Sequence, residues 1–79
     1  MNDKTKTVPA DIREVYGMLS MLNDDLTDVM QIEVTEWKDD LKTAVSDWKR
    51  NGAKEPNWKA YRNAMNEICR EDGMPRLFG

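Results

Sequence analysis

Residues 26–48 read LTDVMQIEVTEWKDDLKTAVSDW, and within them Leu26, Met30, Val34, Trp37, Leu41, Val45 and Trp48 follow one another at steps of 4, 4, 3, 4, 4 and 3. Only an α-helix places residues at that spacing on one face. The stripe predicts a helix over about 24–50. Asn23 is the candidate N-cap, with Asp24 and Asp25 in the first turn. Lys49 and Arg50 suit the negative end of the helix dipole. Asn51-Gly52 then offers the left-handed residue of a C-cap.

Upstream, Ile12, Val15, Leu19, Leu22, Leu26 and Val29 repeat at 3, 4, 3, 4 and 3. This is a heptad pattern that packs helices side by side. Pro9 suits a helix first turn, where its missing N–H costs nothing, and Asp11 suits the dipole there. Gly17 weakens this helix by about 1 kcal/mol relative to alanine. Two readings follow. Either helices 9–22 and 24–50 are separated near Asn23, or one rod of roughly 60 Å runs unbroken and needs a second copy to cover it. The break is preferred because it lets the chain close on itself. Downstream, Pro56 disfavours helix at Glu55, and Asn57 can cap a third helix over 57–71. Trp58, Tyr61, Met65 and Ile68 form its apolar stripe, with Ala64 and Cys69 at the edges. Residues 1–8 read as a flexible tail, and residues 74–79 as a short apolar one that folds back or inserts into a partner. The expected architecture is all-α: a small three-helix bundle or helical hairpin, with pairing through the long central helix as a route to a dimer.

Seventy-nine residues make one domain. A chain this short buries only about 60–65% of its unfolded surface, so its stability is marginal without help. Cys69 is alone, which rules out an intrachain disulfide and fits a reducing compartment. Self-association or a partner is the expected source of additional stability. There is no apolar leader and no apolar run of the roughly 20 residues that span a bilayer. The expected location is the cytoplasm, or a host cell's cytoplasm for a phage-encoded chain, with no membrane contact.

The composition argues against catalysis. The chain has no histidine, so the usual general base near neutral pH is missing. Cys69 has no imidazole to activate it, and Ser20 and Ser46 lack nucleophile-elbow glycines. The four glycines are scattered and make no phosphate-cradling loop. The i, i+4 carboxylate pairs Asp24/Asp28 and Glu36/Asp40 read as a solvated face rather than a metal site, because carboxylate-bridged bundles also use histidine. No enzyme activity, cofactor or metal is expected.

Charge carries the functional information. The net charge of −3 divides into +1 over residues 1–10, −7 over residues 11–47 and +3 over residues 48–79. Asp24, Asp25, Asp28, Glu33, Glu36, Asp39 and Asp40 fall within 17 residues, opposed only by Lys38. A rigid acidic helix can place carboxylates where phosphates would sit and be steered to a basic target. With Trp37 as an aromatic anchor, these acids are the candidate partner-binding residues. Lys49, Arg50, Lys54, Lys59 and Arg62 lie among Trp48, Trp58 and Tyr61. They are the candidate nucleic-acid-binding residues, although the loop is long for a DNA-reading helix-turn-helix and the chain is acidic overall.

The expected function is a non-enzymatic protein-binding module that occupies a basic surface of a larger, nucleic-acid-handling partner. In size and charge the chain resembles the small inhibitors that phages and other mobile elements encode against host machinery, anti-CRISPR proteins among them. The alternatives are a small nucleic-acid-binding regulator using the basic turn 48–62, and a structural assembly protein that oligomerises.

Overall fold

In the computed structural model, which describes residues 6–79, three α-helices follow one another: α1 over Ala10–Met21, α2 over Asp28–Arg50 and α3 over Trp58–Glu71. No strand occurs among the described residues. The fold is the small all-α bundle that the apolar periodicity predicts. The 23 residues of α2 set the long dimension of a body measuring 42 × 23 × 17 Å.

The break between α1 and α2 lies where it is expected, but its chemistry differs. Residues Asn23–Asp25 form a single 3-10 turn, and Asn23 caps nothing. Thr27 is the N-cap instead, its backbone extended and its Oγ1 accepting the Met30 amide at 3.2 Å. Asp28 is the acid in the first turn of α2. Starting the helix at 28 rather than 24 breaks the heptad phase. Ile12, Val15 and Leu19 stay buried, while Leu22 is partly exposed and Val29 points to solvent. The heptad run is therefore not a continuous seam for pairing helices. Its first half is already buried against α2 and α3.

The stripe on α2 is the wall of the core. Met30, Val34, Trp37 and Leu41 are buried with Ile12, Leu19, Met65, Cys69 and Phe78. Cys69 lies at the centre of the α3 face rather than its edge, and Tyr61 and Ile68 flank it half-buried. All three tryptophans are used in packing. Trp37 donates its Nε1–H to the Tyr61 carbonyl at 2.9 Å and meets the Tyr61 ring edge-on. Trp48 and Trp58 make a second edge-on pair at 5.6 Å. Such pairs contribute about 0.5–1.5 kcal/mol beyond their area burial.

The helix ends follow local chemistry. Gly52 and Gly73 both take φ 74°, the left-handed conformation that glycine adopts without strain. At the end of α3 the Met74 amide bonds the Cys69 carbonyl and the Gly73 amide bonds that of Arg70, a Schellman motif. Asn57 caps α3, its Oδ1 accepting from the Ala60 amide at 3.1 Å. The C-terminal tail folds back. Asn66 accepts the Leu77 and Phe78 amides on Oδ1 and donates to the Phe78 carbonyl, and the Phe78 ring enters the core.

Part of the expected N-terminal tail is also packed. Lys6 donates to the Trp48 carbonyl at 2.8 Å, and Val8 packs against the core. Residues 1–5 of that tail lie outside the described residues.

Replacing Trp37 or Leu41 by alanine is expected to destabilise the chain by roughly 2–5 kcal/mol each, measured by urea unfolding. A change below about 0.5 kcal/mol at both positions contradicts their place in the core, since that is the size of an ordinary surface substitution. Gly17 faces open space within α1 and has no positive φ. Gly17→Ala is therefore expected to raise stability by about 0.5–1 kcal/mol.

Candidate interaction surface

The acidic residues of α2 do not form one face. At 100° per residue, Glu33 and Asp40 fall on the flank toward α3, while Asp28, Glu36 and Asp39 fall on the side away from the core. Asp40 accepts the Tyr61 hydroxyl at 2.9 Å. Burial and that carboxylate push the Tyr61 phenol up to about 12. Glu33 leans toward the C-terminal end of α3, where its Oε1 and the Oδ2 of Asp72 are both buried. Burial pushes the Glu33 carboxyl above its ordinary value, and the negative charges of Asp72, Glu71 and Glu36 add to the rise. Two of the seven candidate acids are thus tied to the α2–α3 contact.

Trp37 is placed differently from expectation. It is only 6% exposed, so the aromatic beside the acids is a core residue and not an exposed anchor. The most exposed large apolar residues are others: Met21 at 84%, Val29 at 63% and Ile32 at 62%. They belong to the corner where α1 hands over to α2. Asp24, Asp25, Asp28 and Glu36 are exposed at the same corner. Asn23, Asp28, Ile32 and Glu36 line a single shallow concavity there. Exposed aliphatic and carboxylate side chains thus occur together around this turn and along the start of α2, with Ile32 between Asp28 and Glu36 in the concavity. The corner's apolar members, Met21, Val29 and Ile32, all stand outside the α2 stripe in the sequence, and the heptad run places Val29 in a helix-pairing seam.

The basic residues also divide. Arg62 is committed to Asp11, with Nε–Oδ2 at 2.8 Å and Nη2–Oδ1 at 3.1 Å, a bidentate pair joining α3 to α1. It holds the Asp11 carboxyl below its ordinary range. Lys54 and Lys59 are exposed in the loop and on α3. Lys49 and Arg50 lie instead along an open groove of about 440 Å³ between α1 and α2. Arg13 and Lys42, which sequence reasoning did not single out, share that groove. The available signal was the spacing of Lys42 and Lys49, seven residues apart on one flank of α2. Lys38 lies on the same flank and is engaged with α1, donating to Ser20 Oγ at 2.9 Å with its ammonium 5.4 Å from the Tyr16 ring centre. Trp48 and Trp58 pack on each other, which occupies the rings that would stack on bases.

Cys69 is fully buried, and burial pushes its thiol up from the ordinary value. A thiol in that state is a poor nucleophile. Among the described residues no three histidine, cysteine, aspartate or glutamate side chains come together as a metal site. Among the same residues no helix is long and apolar enough to cross a membrane. The chain matches no protein-family model, no curated protein and no solved structure.

The Glu33 pair has a signed consequence. A carboxyl whose folded value lies above the unfolded one holds its proton longer in the native state. Its contribution is complete below 4.5, the ordinary value, and is lost as the pH rises through the higher folded value. Glu33→Gln is therefore expected to melt at a higher temperature than the parent chain at neutral pH, with the difference shrinking toward acid. Circular-dichroism melts across that range measure it. A difference that stays constant with pH would show that Glu33 keeps its ordinary titration.

Proposed function

We propose that the chain is a non-enzymatic binding module whose acidic corner occupies a basic surface of a larger protein. The observation that carries this reading is the exposure of Met21, Val29 and Ile32 together with Asp24, Asp25, Asp28 and Glu36 around the α1–α2 turn and the start of α2. Exposed apolar residues among charges are a composition that a partner covers. The carboxylates speed encounter with a cationic target, and the apolar residues slow release. A surface built to hold nucleic acid is cationic, so an inhibitor of nucleic-acid-handling machinery, of the kind that mobile elements encode, is the class this corner suits. Anti-CRISPR proteins are one example of that class.

The nucleic-acid-binding alternative has less support. Arg62 is spent on Asp11, the tryptophans pack together, and Lys49 and Arg50 belong to a groove separate from Lys59.

The test is a corner variant carrying Asp24→Lys, Asp25→Lys and Glu36→Lys. All three side chains are exposed, so the fold is expected to survive. Wild-type chain used as bait in host extract is expected to retain a stoichiometric protein partner. The variant is expected to lose it, and wild-type association is expected to slow with added salt. Equal capture by both baits overturns the reading. Co-purification of nucleic acid, lost on replacing Lys49, Arg50, Lys54 and Lys59, installs the alternative.

A further inference from the structure

The groove between α1 and α2 is the converse of the acidic corner. Val8, Ile12, Tyr16 and Val45 give it an apolar floor, and Arg13, Lys42, Lys49 and Arg50 stand around it. No carboxylate among the described residues lines it. Among the described residues none of these four cations is in an ion pair, the two bridges being Arg62–Asp11 and Arg70–Glu67. The corner at the other end of the same two helices presents exposed aliphatic side chains among carboxylates, with Ile32 between Asp28 and Glu36. We infer that the occupant of the groove is a second copy of this chain, docked through its acidic corner.

The complementarity is double. Ile32, Val29 and Met21 meet an aliphatic floor, while Asp24, Asp25 and Glu36 meet unpaired ammonium and guanidinium groups. A chain cannot dock its own corner into its own groove. Ile32 and Val45 belong to one continuous helix and stand about 20 Å apart along it. The contact is therefore between molecules and heterologous, with different surfaces of the two copies meeting. Each added copy leaves one free corner and one free groove. Association then grows with concentration instead of stopping at a symmetric dimer. This is not pairing along the heptad run, whose Ile12, Val15 and Leu19 are enclosed in the core. The inference rests on the corner being a contact surface, as in the proposed function, and adds the groove as its counterpart.

Sedimentation of the full chain tests it with two variants. The corner variant is the triple substitution above. The groove variant carries Lys42→Glu and Lys49→Glu and leaves the corner intact. The wild-type chain is expected to sediment as the 9.2 kDa monomer when dilute. Its weight-average mass is expected to rise at least twofold toward about 0.5 mM, as for a contact at the small end of interface sizes. The rise is expected to vanish at about 1 M salt. Each variant alone is expected to remain monomeric with an unchanged helical spectrum. Mixed in equal amounts, they are expected to form a complex of two chains that grows no further, because one supplies the groove and the other the corner. A wild-type chain that stays monomeric throughout overturns the inference. So does a groove variant that associates like wild type, or a mixture that does not associate. The groove variant separates the two readings: it is expected to lose self-association and still capture the larger partner, so failure of either leaves the other readable.

Discussion

The structure depends on covering the long apolar face of α2, and α1, α3 and the returning tail supply that cover. The interruption between Met21 and Asp28 makes this possible. Its anchor is the Thr27 hydroxyl, which accepts the Met30 amide and lets α2 begin where an extended residue precedes it. From there Met30, Val34, Trp37 and Leu41 point at the same centre as Ile12, Val15 and Leu19. Helix α3 and the returning tail close the remaining side. A helix running on through residues 22–27 would leave that face open along roughly 60 Å.

Polar groups then hold the elements in register. The indole of Trp37 bonds a backbone carbonyl of α3, and Tyr61 reaches back to Asp40. Arg62 reaches Asp11 on α1, and Lys38 reaches Ser20. Asn66 secures the last residues against α3 with three hydrogen bonds, and this holds Phe78 in the core. These contacts draw on both sets of charges that the sequence displays. What they leave over defines the surface. Asp24, Asp25, Asp28 and Glu36 remain free at one corner beside exposed aliphatics, and Arg13, Lys42, Lys49 and Arg50 remain around an apolar groove. The separation of charge along the chain becomes a separation across the molecule, which favours oriented encounters.

The helices themselves were legible in the sequence because their cause is local. The period of Leu26 to Trp48, the Asn57 cap and the Asn51-Gly52 stop act within a few residues of where they are written. The onset of α2 was not legible in the same way. Asn23 and Thr27 are both good caps on intrinsic grounds, and the fold uses Thr27, whose Oγ1 accepts the Met30 amide. The same choice decided that Leu22 and Val29, which continue the heptad on paper, face outward.

The sequence by itself therefore determined an all-α chain, three helical segments with two of their caps, and a charge division between its two halves. Periodicity and capping are short-range physics and need no knowledge of the rest of the chain. Only the tertiary structure decided which charges are free and which are spent. Arg62, Glu33 and Asp40 read like their neighbours in sequence, yet each meets a group 21 to 51 residues away: Arg62 pairs with Asp11, Tyr61 donates to Asp40, and Glu33 lies beside Asp72 with its Oε1 buried. It also decided that Trp37 and Trp48 are buried, with Trp58 packed half-buried against Trp48, and that Met21, Val29 and Ile32 are surface. Exposure depends on which helix covers which face, and that is set by the long-range closure of the bundle.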